Sequence, residues 1–407
     1  MFRLAVFLFL FACSLVGQFI CSPMGEQRTL VLIINGYVSE DWARSAFFGA
    51  TKSVDSFYRE SSYEQTWFSG DVVTVTMQMP NTCDLPLIAV RASEAAALKG
   101  YNLDLYTRRA YLGALPCAFA GIGALGCGMR TAGGTTYGQI WIRSAPLQHE
   151  MGHSFGLAHA NLFGSSQEYG DKSDTMGLSS SPFNAPHRLQ LGWTDAVQDV
   201  TTEGAYSICP LEIPNCGTQI LRIQKPDTGE QYYVSYRQKI GEWAQYMSST
   251  FTVGANIHVW SPPLDPRIEG HITKLVDTTP GTSMGFLDAP LTDGASFHDA
   301  ANGISIVQLS HTAQWATVSV RFGATNPPPA PPAALSISPT SVTLRAGQSV
   351  QFSANKEVAW SLSGLGTLSA SGLYTAPSVI ARRTMAYVAA NSGEETRTAT
   401  VTLQKGK

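Results

Sequence analysis

The chain has 407 residues, of which 44% are hydrophobic and 14% charged, with a formal net charge of −3. That is a globular composition too long for one typical core, so two or three domains are expected. It carries neither the basic surplus of a nucleic-acid binder nor a single-sign charge run. Residues 1–22 read as an export signal: Arg3, an apolar run from Leu4 to Ala12, then small residues at Ser14 and Gly17. An uncleaved anchor and a lipoprotein attached through Cys13 are the weaker alternatives, and in each case the remainder leaves the cytoplasm. Seven cysteines suit that compartment. Cys117 with Cys127 and Cys209 with Cys216 would each close a short loop, leaving Cys83 over, although spacing alone does not settle the pairing.

In chain order, Thr29 to Ile34 reads as a buried strand and Asp41 to about Glu60 as one helix with Trp42, Ala46, Phe47, Val54 and Phe57 apolar. Val72 to Met77 alternates like a strand, Ala-rich Leu85 to Leu98 reads as a helix, Ala110 to Leu112 and Gln139 to Ile142 as strands, and Pro146 to Leu157 as a helix. The apolar stretch Tyr111 to Met129 holds Pro116, glycines and two cysteines, and is expected to be a Gly-rich loop beside a core strand rather than a membrane span. It also contains a G-x-G-x-x-G string, Gly121 to Gly126. No helix pattern and no acidic residue follow it at the spacing a dinucleotide site needs. After Thr201 the texture changes to short strands punctuated by Gly, Pro and Asp: Gln219 to Ile223, Gln231 to Tyr236, Ala255 to Trp260, Ile304 to Leu309 and Ala316 to Phe322. A stiff Pro-rich linker follows, and beyond it come short strands and turns without helical periodicity. The expected organisation is therefore multidomain: a signal segment (1–22), an α+β catalytic domain (27–198), an all-β sandwich-like domain (199–323), the linker (324–334) and a small β-sandwich (335–407).

The segment from His149 to His159 fits H-E-x-x-H-x-x-G-x-x-H at every fixed position. His149 and His153 are four apart and share one face of a helix, so they can grip one ion. Gly156 permits a positive φ that ends the helix, and the chain can return so that His159 supplies a third ligand. Three neutral imidazoles with one open position describe a catalytic Zn²⁺ site. Glu150, beside the first ligand, faces the open position. The expected chemistry is metal-assisted peptide hydrolysis, in which zinc brings the pKa of its water toward about 7 and Glu150 takes a proton from it, then returns the proton to the leaving amine. Downstream, Tyr169-Gly170-Asp171-Lys172-Ser173-Asp174-Thr175-Met176-Gly177 offers Met176 as the floor of a metzincin Met-turn rather than a ligand. Asp171 and Asp174 are hydrogen-bond partners of the ligands or turn residues, the second reading being favoured. His187 reads as structural.

The chain resembles the gametolysin family of metzincin peptidases. The resemblance rests on HEMGHSFGLAHA, YGDKSDTMG, FNAPHRLQLGW (Phe183 to Trp193) and SVDSFYRESSYEQTWFSGDV (Ser53 to Val72), and covers roughly Thr29 to Trp193. It implies a zinc endopeptidase acting on extracellular proteins or peptides. Two departures stand out: no sizeable prodomain is expected between the signal and the first strand, and no tyrosine stands just after Met176 as in astacins. The segments Ser336 to Ala354 and Ser371 to Pro377, with Trp360, resemble a bacterial immunoglobulin-like domain, which implies a spacer or a unit that binds a cell-surface or matrix polymer. Absence of an Asn-x-Ser/Thr sequon agrees with a bacterial source. The alternative reading is a catalytically weak adhesion protein that uses its β domains; intact Glu150 argues against it.

Overall fold

The ten residues Gly25–Ile34 form strand β1, whose alternating side chains divide the surrounding structure into two apolar cores. This computed structural model describes residues 22–130, 133, 136–177, 179–263, 270–323, 335–381, 383–392 and 395–404. The expected signal segment up to residue 21, with Cys13, and the Pro-rich linker over 324–334 lie outside the described residues.

After β1 come α1 (Glu40–Phe48), α2 (Val54–Ser62), β2 (Thr66–Val75), α3 (Leu85–Leu98), β3 (Arg108–Leu112), β4 (Gly121–Gly123), β5 (Met129–Arg130), β6 (Thr136–Ile142) and α4 (Leu147–Ser154). The first sheet runs β2-β1-β3-β6-β4, with β5 also paired to β6. Its first four strands are parallel, while β4 and β5 run antiparallel to β6. Val31 and Ile33 face one core with Phe47, Phe57, Tyr58, Met151 and Phe155, from α1, α2 and the end of α4. Leu30, Leu32 and Ile34 face the other, against Ile88, Ala92 and Ala96 of α3. Period-two burial on both faces is why β1 reads as an unbroken apolar run.

The single helix expected over Asp41 to Glu60 is two. Gly49 closes α1, and Ser53 opens α2 with a capping box: its Oγ accepts from Ser56 N–H at 3.0 Å, while Ser56 Oγ accepts from Ser53 N–H at 3.1 Å. Such a cap contributes on the order of 1 kcal/mol and outweighs continued helical periodicity. The cysteine pairing also differs from the short-loop expectation. Cys117 bonds Cys83, 34 residues away, while Cys209–Cys216 forms as expected. Cys127 is disulfide-bonded too. Contact in the folded chain, not proximity in sequence, selects the partner.

Beyond α4 lie β7 (Ala160–Leu162), α5 (Ala185–Gln190), β8 (Val197–Asp199), β9 (Gly204–Ile208), β10 (Ile220–Gln224), β11 (Gln231–Tyr236), β12 (Gly254–Trp260), β13 (Thr273–Leu275), β14 (Leu291–Thr292), β15 (Ser296–Asp299), β16 (Ile304–His311) and β17 (Ala316–Arg321). A seven-stranded sheet runs β7-β13-β12-β11-β10-β8, with β14 on β12, and a four-stranded one runs β15-β16-β17-β9. Val234, Ile257, Ile306 and Val318 put both sheets into one shared core. The later strands are also tied to the earlier layer. Strand β7 follows His159 directly and pairs with β13. Trp243 packs in the α1/α2 core, its Nε1 donating to Ser56 Oγ at 3.0 Å, while Glu60 accepts from the N–H groups of Trp243 and Ala244, both at 2.9 Å.

Residues up to Pro328 make one compact unit, and Pro329–Lys407 make a second. Among its described residues, the second is built from strands in sheets of four, three and two strands, around Phe352, Tyr374, Val388 and Val401.

A chain ended after Thr201 would lose Trp243 from the first core, leaving a cavity that typically costs about 3–5 kcal/mol, along with the strand that holds β7. It should lack a cooperative thermal transition. A chain ended after Gly323 should melt cooperatively, within a few degrees of the same unit in the full-length protein. Circular dichroism melts of both compare them; a native-like melt of the shorter form would count against this interdependence.

Candidate active site

Helix α4 presents His149, Glu150 and His153, and Gly156, at a φ of 95°, ends it as expected. The chain turns back, and the third histidine is fixed by a strand from much later: Thr273 N–H donates to the His159 carbonyl at 3.3 Å, and Thr273 pairs with Ala160 in the β7–β13 ladder. One ligand atom from each of His149, His153 and His159 lies within 4.8 Å of the others.

Each imidazole is oriented through Nδ1. His149 Nδ1 lies 2.9 Å from the Thr175 carbonyl, and His153 Nδ1 lies 2.8 Å from the Leu157 carbonyl. His159 Nδ1 is 2.8 Å from Glu168 Oε1. Carbonyls only accept, so Nδ1 of the first two carries the hydrogen and Nε2 keeps its lone pair. The Nε2 atoms of His153 and His159 face each other at 3.2 Å. Two acceptors at that distance repel unless a cation sits between them, so the donor set fits a metal ion. Burial drives the His153 pKa down to about 3, with help from His149, and burial also lowers that of His149. Both rings are thus neutral, the form that coordinates metal.

Glu150 does not join the three ligand nitrogens. Burial raises its carboxyl to about 7, opposed by a hydrogen bond from the Gly123 N–H. The G-x-G string has a packing reason. Edge strand β4 lies so close to α4 that a Cβ on Gly123 would sit 2.3 Å from the Glu150 carbonyl oxygen and 2.6 Å from His153 Cβ. The glycine is required by the approach of strand to helix, not by a nucleotide. The other end of α4 is capped by buried Arg108, whose guanidinium donates to the Ser154 carbonyl at 3.2 Å and lies 4.2 Å from the Phe155 ring centre. Burial lowers its pKa to about 9.

Met176 lies in a short 3₁₀ turn, Thr175–Gly177, fully buried, with Sδ 2.5 Å from where a Cβ on Gly152 would be. It therefore packs directly against α4 between the first two histidines. Asp174 builds this turn. One carboxylate oxygen accepts from Met176 N–H at 2.6 Å; the other accepts from Asn184 N–H at 2.6 Å and lies 2.9 Å from His187 Nδ1. Asp171 accepts from Ser173 N–H at 2.8 Å and lies 3.0 Å from His258 Nε2. Neither carboxylate bonds a ligand histidine, and His187 is occupied by Asp174, a structural place.

Sequence reasoning missed Glu168 and Tyr169, which lie on the returning loop. The Tyr169 ring centre is 4.0 Å from that of His159 and 5.7 Å from that of His149. No spacing rule marks them, because the loop between the third histidine and the Met-turn has no periodicity. Only the tyrosine-glycine step at Tyr169-Gly170 hints at a constrained backbone.

Two consequences are measurable. Glu168→Ala should weaken metal retention in chelator competition by roughly 10–100-fold while leaving the fold intact, because the His159 ring loses its orienting partner. Separately, the folded metal-free chain holds the Glu150 proton up to about pH 7, whereas the unfolded chain releases it near its ordinary 4.5. Native stability therefore falls as pH rises through that window. Metal-free Glu150→Gln should exceed its metal-free parent by on the order of 2–3 kcal/mol at about pH 8, and match it at about pH 4. Urea unfolding at both pH values checks this, and a pH-independent difference would refute the assignment.

A family model described as gametolysin peptidase M11 matches residues 35–259. No curated protein matches the chain. Among solved structures, one titled "Structure of a chaperone-substrate complex" is similar over 36% of this chain and 26% of its own, at 16% identity and a TM-score of 0.23. The chain thus spans about a quarter of that structure, and a likeness this slight does not define a fold. The family match extends over more than half of the 407 residues and takes in α4 and the Met176 turn, so the chain belongs to the gametolysin peptidase M11 family.

Proposed function

We propose that this chain is a secreted zinc endopeptidase of the metzincin type that hydrolyses peptide bonds of extracellular proteins. In this reading His149, His153 and His159 hold the ion, Met176 is the floor of the Met-turn, and Glu150 is general base and then general acid. The observation that carries it is the convergence of three Nδ1-anchored imidazoles beside a buried carboxyl raised to about 7. The mostly parallel sheet with antiparallel edge strand β4 against α4, and Met176 packed beneath that helix, support the metzincin assignment.

A zinc ion held by the three Nε2 atoms would supply Lewis acidity toward a water molecule and the scissile carbonyl. Glu150 takes one proton from the attacking water, whose oxygen bonds to the carbonyl carbon. A carboxyl near 7 can hold that proton at neutral pH and then give it to the amide nitrogen as the C–N bond breaks. The Gly123 N–H favours the charged form of the carboxyl, opposing the effect of burial. His149, His153 and His159 keep their Nδ1 hydrogens throughout, held by Thr175, Leu157 and Glu168.

Export is supported by the apolar run from Leu4 to Ala12 and by the disulfides. No helix among the described residues is long and apolar enough to cross a membrane. The all-β second unit supports an immunoglobulin-like module serving as spacer or polymer-binding unit.

Glu150→Ala should keep zinc at the parent's stoichiometry and lose roughly 10²–10⁴-fold in casein hydrolysis. His159→Ala should lose the metal itself. Metal analysis with a chelator-controlled casein assay separates the two. Parental turnover by zinc-loaded Glu150→Ala would refute the mechanism.

A further inference from the structure

Tyr169 is placed by more restraints than a packing residue needs. Its backbone has a φ of 61°, a left-handed conformation that bulky side chains rarely adopt. Asn161 Oδ1 on β7 accepts from the Tyr169 N–H at 3.1 Å and holds that conformation. The following residue, Gly170, packs so tightly that a Cβ there would lie 2.2 Å from Leu162 Cγ. The preceding residue, Glu168, is bonded to His159 at 2.8 Å. Together these restraints hold the phenol ring over His159 and toward His149. The hydroxyl is close enough to Glu150 for their charges to interact, and it makes no hydrogen bond with the described residues. Backbone strain of this kind survives where the surroundings over-determine it, and it concentrates at functional sites.

We propose that Tyr169 is a further catalytic residue, its hydroxyl donating a hydrogen bond to the scissile carbonyl oxygen as that oxygen gains negative charge. This rests on the zinc peptidase reading above. The phenol keeps its proton, and no covalent bond changes at Tyr169. A donor fixed in place before reaction acts without reorganising, and this is the condition under which a single hydrogen bond contributes most to rate. The hydroxyl, rather than the ring, carries the effect; the ring alone would serve only to pack against His159.

The test compares full-length Tyr169→Phe and Tyr169→Leu with the parent, each loaded with zinc. Turnover of a short fluorogenic peptide is measured alongside calorimetric binding of a phosphinic peptide, whose tetrahedral phosphorus oxygens mimic the charged carbonyl. Tyr169→Phe should lose roughly 10²–10³-fold in kcat with KM nearly unchanged. Its affinity for the phosphinic peptide should fall while that for the product peptides does not, and its zinc content should equal the parent's. Tyr169→Leu should in addition release zinc faster to a chelator, because the ring contact with His159 is gone. Parental kcat and phosphinic affinity in Tyr169→Phe would overturn the proposal, as would a change confined to KM or a loss of zinc from that variant. A parent that neither cleaves the peptide nor binds the phosphinic peptide would instead overturn the peptidase reading beneath it.

Discussion

Two imidazoles four residues apart meet on one helix face by geometry alone, but the third must be brought back against the direction in which α4 sends the chain. That return is the constraint on which the site depends. It begins at Gly156, with a φ of 95°, and ends where His159 passes into β7. The β7 ladder to β13 then fixes the height of His159 over the other two. Glu168, Tyr169, the Asp171–Asp174 turn and Met176 all lie on the continuation of the same loop, so each is positioned by whatever pins that loop.

The pins are buried charges. Asp171 and Asp174 are fully buried and face His258 and His187. Glu212, buried as well, lies 2.7 Å from Arg237 Nε and 3.8 Å from Arg188. Arg237 donates to the Ser173 carbonyl at 3.0 Å, inside the same turn. Such groups add little net stability, because desolvation offsets their attraction. Removing one partner, however, typically costs about 3–5 kcal/mol, since a buried charge is left uncompensated. Their contribution is therefore to geometry: they leave the loop few alternative arrangements. His258 and Thr273 lie on strands after Thr201 and Arg237 directly follows another, so the later β region completes the environment of the zinc-motif residues instead of serving as a separate appendage.

Glycine at two positions lets these layers approach. Gly152 admits Met176 beneath α4, and Gly123 admits the edge strand beside Glu150. The second carries a functional consequence, because the same closeness brings the Gly123 N–H to the carboxylate. A string that matched a dinucleotide fingerprint on paper is a packing and positioning device in the fold.

By itself, the sequence determined what depends on local period and spacing. The strand at Thr29 to Ile34 was legible because burial on both faces leaves an unbroken apolar run, and the helix Leu85–Leu98 because it is rich in alanine, a strong helix former. The proposed ligands and base were legible because His149, Glu150 and His153 share one helical turn and Gly156 marks where it ends. The break between α1 and α2 was legible in principle, through Ser53 and Ser56, but apolar periodicity across it masked the cap. Tertiary structure alone decided whatever joins residues far apart in the chain. It paired Cys117 with Cys83, set Trp243 against Ser56 and Glu60, and placed Thr273 behind His159; over a shorter, aperiodic span it also put Glu168 and Tyr169 against His159. These contacts come from loop closure, where no repeat distance links the partners and only the packing of finished elements brings them together.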